Sequence, residues 1–116
     1  MYSVKVTEIG TAVRALMRER IIILFGPAAP IELRDICVIH DGAPVAGDII
    51  KRDGTIAFGN HAYKIIEVGD AANENFISLG HLTINFSKDA GILPGSIRVG
   101  IEEAPEISVG DTIVCL

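Results

Sequence analysis

Imidazole is the side chain whose charge and nucleophilicity can be tuned near neutral pH, and this 116-residue chain has three histidines. Two of them stand in matching settings. In Ile36-Cys37-Val38-Ile39-His40-Asp41-Gly42 and in Leu79-Gly80-His81-Leu82-Thr83, a histidine lies beside a glycine and an apolar run. Glycine lets backbone or an incoming phosphate approach closely. His40 therefore has two readings. It could be a strand-end histidine satisfied by a carbonyl, or a nucleophilic imidazole at the end of a buried strand. In the second case the backbone N–H groups of the loop holding Asp41, Gly42 and Gly47 would face a phosphoryl group. His81 could tie a helix end to a strand, donate a hydrogen bond to a phosphoryl oxygen, or hold a partner imidazole in one tautomer. His61, in Gly59-Asn60-His61-Ala62-Tyr63, reads as a solvated turn histidine. The sharpest rival chemistry is a zinc site built from His40, His61 and His81. It has no His-x-His pair, no HExxH and no carboxylate at a ligand offset to support it. P-loop, GxGxxG and GxSxG signatures are absent too.

The elements that must position these groups are mostly strands. Apolar and alternating runs predict strands at Ser3–Thr7, Ile21–Phe25, Ile36–His40, Asp48–Lys51, Thr55–Phe58, Tyr63–Val68, Leu82–Phe86, Ser96–Ile101 and Thr112–Cys115. Arg52-Asp53-Gly54 is a hairpin signal and Gly59-Asn60 a second reversal, which together predict a meander from Asp48 to Val68. Two helices interrupt the strands. Thr11–Arg18 places Val13, Leu16 and Met17 on one face, with Thr11 as N-cap. Asp70–Gly80 carries Ala72, Phe76 and Leu79 on one stripe and ends on a C′ glycine, which puts His81 at a helix exit. Pro27–Pro30 leads into a short helical turn over Ile31–Asp35. No repeat, linker or low-complexity tract is read. The expected architecture is mainly β: a closed or nearly closed small β-barrel with two or three short helices, forming one domain over residues 1–116.

Composition agrees with that frame and removes several functions. Hydrophobic residues make up 49% and aromatics 5%, with no Trp, so branched aliphatics must fill the core. A net charge of -5 with scattered basic residues argues against nucleic acid, and Arg14, Arg18 and Arg20 form a local patch at most. The start, Met1-Tyr2-Ser3-Val4-Lys5-Val6, alternates like a strand and lacks the apolar core of a signal peptide. Ile21–Phe25 is too short to span a bilayer. Cys37 and Cys115 sit in apolar runs without CxxC spacing, as buried thiols of a cytoplasmic protein would. The acidic, proline-broken run Ile101–Glu106 reads as a solvated loop.

Three blocks together resemble one family. They are apolar-Cys-apolar-Ile-His at 36–40, Gly59-Asn60-His61-Ala62-Tyr63, and Val68-Gly69-x-x-Ala72-x-x-Asn75-x-x-x-Leu79-Gly80-His81-x-Thr83. Their order and spacing are similar to the glucitol/sorbitol-specific enzyme IIA component of the bacterial phosphoenolpyruvate-dependent phosphotransferase system, across roughly residues 3 to 115. The weaker segments Leu93–Ile97 and Ser108–Asp111 are similar as well. The resemblance implies a small cytoplasmic barrel-like phosphotransferase without a cofactor or metal. It would accept a phosphoryl group from the phosphocarrier protein HPr on one histidine and pass it to the IIB part of the membrane-bound IIB/IIC sugar permease. The family's accepting histidine falls on His40; a helper role for His81 is our own inference. In one departure, Asp41-Gly42-Ala43-Pro44 stands where relatives can carry a second histidine. Asp41 also adds negative charge where phosphate would arrive. The alternative on the same fold is a regulatory or binding module without turnover.

Overall fold

A computed structural model describes residues 1–42, 47–87, 91–100 and 103–116. Its elements are β1 (Tyr2–Ile9), α1 (Val13–Arg18), β2 (Ile21–Phe25), a 3-10 turn (Ile31–Ile36), β3 (Val38–His40), β4 (Thr55–Phe58), β5 (His61–Val68), α2 (Ala72–Leu79), β6 (Leu82–Asn85), β7 (Ser96–Val99) and β8 (Thr112–Cys115). The strands close into a barrel in the order β1-β3-β2-β6-β7-β5-β4-β8, which leaves no unpaired edge. Most neighbours are antiparallel; β2 with β3 and β6 with β7 are parallel. The mainly-β closed barrel with short helices is as expected.

Alternation along each strand sends one set of side chains inward. Val4 and Val6 of β1, Ile22 and Leu24 of β2, Leu82 and Ile84 of β6, and Ile97 and Val99 of β7 meet there in a branched aliphatic core. Val6 lies directly opposite His40. Opposed residues share a face, so His40 points toward the barrel interior, while Ile39 joins Phe25, Ala29 and Cys37 in a second apolar cluster. Cys37 and Cys115 are both buried free thiols.

Several local expectations change. Asp48–Lys51 is not a strand, so the meander shrinks to the β4–β5 hairpin. The backbone of Ile49 and Ile50 instead pairs with the Asn73 side chain: Oδ1 accepts both N–H groups at 3.0 and 2.8 Å, and Nδ2 donates to the Ile50 carbonyl at 2.7 Å. The Asp53-Gly54 turn does form, with Asp53 at φ 67°, but it leads from this pinned segment into β4. The strand holding His40 begins at Val38, because Ile36 is taken up by the 3-10 turn. β6 stops at Asn85 and β7 at Val99; Ile101 lies outside the described residues, as do Ala43 and Pro44. Neither helix has a side-chain N-cap: Ala12 holds that position in α1 instead of Thr11, and α2 begins at Ala72 behind Ala71, two residues later than the expected start at Asp70.

An internal repeat, not read from the sequence, governs the whole barrel. Exchanging β1–β4 with β5–β8 returns the same cyclic strand order. The correspondence extends to register. Val6–His40, Glu8–Ile39 and Ile9–Val38 of the β1/β3 pair match Ile65–Val99, Glu67–Arg98 and Val68–Ile97 of the β5/β7 pair, and each pair has its bulge at the same step. Loop hydrogen bonds repeat likewise: Gly10 N to Cys37 O and Ala12 N to Asp35 O answer Gly69 N to Ser96 O and Ala71 N to Pro94 O. The sequence trace is short, Lys5-Val6-Thr7-Glu8-Ile9-Gly10 against Lys64-Ile65-Ile66-Glu67-Val68-Gly69. A second trace is Thr55-Ile56 against Thr112-Ile113, where the threonines pair with Lys64 and Lys5 at equivalent positions.

Candidate functional site

Of the three histidines, only His40 is sealed in the interior, at 1% exposure. Burying a polar ring is tolerable only when its nitrogens are bonded, and both are. Nε2 lies 2.9 Å from the Gly80 carbonyl, and the Gly42 N–H reaches Nδ1 at 3.0 Å. A carbonyl can only accept and a backbone N–H can only donate, so these partners fix one neutral tautomer. Nε2 carries the proton and Nδ1 the lone pair. The pKa of the imidazole is pushed below its ordinary value, chiefly by burial; the Gly80 bond and the Asp41 charge oppose that shift.

Each partner is positioned by a feature of the sequence. Helix α2 ends where Gly80 adopts the left-handed conformation at φ 72°, with its N–H bonded to the Phe76 carbonyl. That reversal presents the Gly80 carbonyl to the ring. The fit is close: a Cβ on Gly80 would lie 2.7 Å from His40 Cε1 and 2.6 Å from Gly26 N. On the other side, a Cβ on Gly42 would lie 2.8 Å from His40 Nδ1 and 2.6 Å from the Tyr2 hydroxyl. Phe76 packs on the ring at a centroid distance of 5.8 Å and meets Tyr2 edge-on at 5.7 Å. The bulge in β1 just past Val6 twists the strand where His40 pairs with it, a local distortion common beside functional sites. Asp41 does not touch the ring in any hydrogen bond. Its N–H donates to the Lys5 carbonyl and its Oδ1 accepts from the Lys5 N–H, so the carboxylate is tied to β1.

The other two histidines lie apart from this centre. His81 is half-buried at the α2 exit, and its ring packs on Phe25 at 5.3 Å. Phe25 belongs to the second cluster and not to the barrel interior. Among the described residues no hydrogen bond joins the His81 ring to His40; the preceding residue, Gly80, makes the contact. Burial lowers the pKa of His81 as well. His61 opens β5 and is exposed. Among the described residues no three histidines, cysteines or carboxylates stand together as metal ligands. Sequence reasoning missed Gly80 and Gly42 as the ring's partners, and Phe76 and Tyr2 as its packing. Glycines beside both histidines hinted at close backbone approach, but which ring each would approach depends on the barrel.

A buried, neutral imidazole with a set tautomer and one lone pair held only by a backbone N–H can act as a nucleophile after a small rearrangement. Comparison with known proteins gives a family and the same fold. The family model for the "PTS system glucitol/sorbitol-specific IIA component" matches residues 1–114. The chain is 26% identical over 114 residues to the glucitol/sorbitol-specific EIIA components of Shigella flexneri and of Escherichia coli (strain K12), covering 97% of this chain and 92% of each relative. It also superposes on the crystal structure of a PTS system IIA component from Enterococcus faecalis V583 with a TM-score of 0.86, at 28% identity over 99% of both chains.

Proposed function

The chain belongs to the family of PTS glucitol/sorbitol-specific IIA components, and on that premise we propose that His40 is its phosphoryl carrier, loaded by HPr and unloaded onto a IIB component during uptake of glucitol. The family places the chain among phosphotransferase components. The observation that carries the assignment to His40 is its setting: among the described residues it is the one histidine both buried and held by backbone on each ring nitrogen.

The transfer needs a ring-nitrogen lone pair in line with phosphorus. That nitrogen forms the new N–P bond as the donor's N–P bond breaks, and the electron pair of the broken bond returns to the donor's own ring. In the arrangement described, each nitrogen must first shed its backbone partner. Releasing the Gly42 N–H bares a lone pair directly, whereas Nε2 would first have to lose its proton. A freed Gly42 N–H is also a donor suited to a phosphoryl oxygen. The low basicity of the buried ring keeps it neutral, hence nucleophilic, across the physiological range. His81 acts as a positioning residue: packed at a tilt against Phe25, it anchors the turn whose preceding carbonyl orients His40. Leu79, one residue before Gly80 and half exposed, gives the rim of the site an apolar contact for a transient partner. Among the described residues no helix is long and apolar enough to cross a membrane.

The test is incubation with phosphoenolpyruvate, enzyme I and HPr, read by intact-mass spectrometry. The expected result is one acid-labile phosphoryl group on the wild type and none on His40→Gln. Phosphorylated HPr beside an unmodified wild-type chain would sink the proposal. A labelled His40→Gln would move the carrier to another residue.

A further inference from the structure

The internal repeat allows each half of the barrel to be compared with the other, and one difference stands out. In the second half, Asn73 on α2 stitches residues 49–50 to the helix with three hydrogen bonds. At the matching place in the first half, α1 carries Arg14, two residues past Ala12 as Asn73 is two past Ala71. No hydrogen bond from Arg14 is found among the described residues. In place of a seam there is a groove of about 900 Å³ between α1 and residues 103–109. Ile9, Val13, Met17 and Ile107 form its apolar side, while Arg14, Arg18 and Arg20 line the helix side and Glu103 and Glu106 the other wall.

The arginines are exposed. They take no part in the ion pairs among the described residues, which join Arg34 to Glu8, Lys64 to Asp53 and Arg98 to Glu67. Arg20 stands in the left-handed region at φ 64° just past the end of α1, as Gly80 stands past α2. A non-glycine residue there costs of the order of 1 kcal/mol. Arginine is thus held where glycine would be easier: its backbone bonds to Met17 and Phe86, while its side chain has no hydrogen bond or ion pair among the described residues.

We infer that this groove binds an extended segment of a partner protein in which acidic and apolar side chains alternate. Alternation sends every second side chain to one face of an extended chain. Apolar residues then meet Val13, Met17 and Ile107, and the carboxylates between them meet the guanidinium forks of α1, whose planar donors match carboxylates. The chain as a whole is acidic, and within the groove the carboxylates are accepted on the arginine wall of α1, away from Glu103 and Glu106 on the other wall. This site is independent of His40 and of the phosphoryl relay.

Fluorescence anisotropy of the full chain titrated against a fluorescein-labelled (Glu-Leu)5 peptide tests the inference. Saturable binding is expected, weakened at least tenfold by Arg14→Glu with Arg18→Glu, and at least tenfold weaker for (Glu-Ser)5 of equal charge. Thermal melting checks that the double variant folds. Should it melt early, Val109→Glu, at an exposed groove residue, replaces it with the same expected loss. Absence of saturable binding, equal affinity in the variant, equal affinity for (Glu-Ser)5, or tighter binding of a labelled oligo-dT each overturns the inference.

Discussion

Replacing Gly80 by Ala should do more than strain a turn; it should drive a methyl group into the imidazole. Gly80 sits at φ 72°, where an L side chain costs about 1–2 kcal/mol. Its Cβ would also fall 2.6 Å from Gly26 N, 2.7 Å from Gly26 Cα and 2.7 Å from His40 Cε1. Two of these neighbours are backbone and the third is a sealed ring, so relief requires displacement. Overpacking of this kind costs about 1–3 kcal/mol more. Gly59 supplies the control. It has a similar φ of 58° with nothing within 4 Å of its added Cβ, so Gly59→Ala should cost only the backbone term. With an m-value of about 2 kcal/mol/M, the additional loss in Gly80→Ala should lower its urea midpoint by roughly 1 M below that of Gly59→Ala. Phosphoryl acceptance, read by intact mass, should fall in Gly80→Ala and hold in Gly59→Ala. Equal midpoints and equal acceptance in the two variants would refute the packing argument and detach Gly80 from the site.

Two other outcomes follow from the same geometry. Because burial lowers the pKa of His40 in the folded chain, the unfolded chain binds the proton first. The stability contributed by the neutral ring is therefore complete above about pH 6.5 and is lost as pH falls from there toward the lowered folded value, by at most about 1.4 kcal/mol per pH unit. Urea titrations between pH 7.5 and 5 should show that slope, and His40→Gln should reduce it; His81, shifted the same way by burial, leaves a remainder. An unchanged slope in the variant would contradict a neutral buried ring. Asn73→Ala removes three hydrogen bonds to Ile49 and Ile50 and should cost about 2–3 kcal/mol at about 1 kcal/mol each; a loss below about 0.5 kcal/mol would mean that the segment is held by something else.

The sequence was most legible where one physical signal dominated. Val4 and Val6 alternate with polar neighbours, while Ile21–Phe25 and Ile113–Cys115 are short continuous apolar runs that follow polar residues, and both patterns point to strands with a buried face that a barrel can close over. Gly80 as a left-handed helix terminus was readable for the same reason, since few residues tolerate that conformation. Asp48–Lys51 misled because its short apolar pair matches a strand, while the Asn73 amide that claims its backbone lies more than twenty residues away. Local pattern carries no trace of such a partner. The repeat was hidden because barrel register constrains which face is apolar and little else; Lys64–Gly69 retains its echo of Lys5–Gly10, but Val99 has replaced the counterpart of His40. At the site, His40 was legible as a candidate from its residue type and neighbours. That a carbonyl and an N–H, and no side chain, would hold its two nitrogens was not, because backbone groups are present at every position and only the fold selects among them.

Tyr2 of β1 pairs with Cys115 of β8, and that seam closes the barrel. A ribosome delivers β1 before the other seven strands and β8 after them, so β1 must wait with one flank unpaired until β8 has been made. Until β8 emerges, β4 has an open flank as well, and the nascent chain presents two strand templates to any neighbour. Closure is thus a late, long-range event, slow in the way non-local pairing is slow, and truncations that remove β8 should yield aggregating chains and not a smaller barrel.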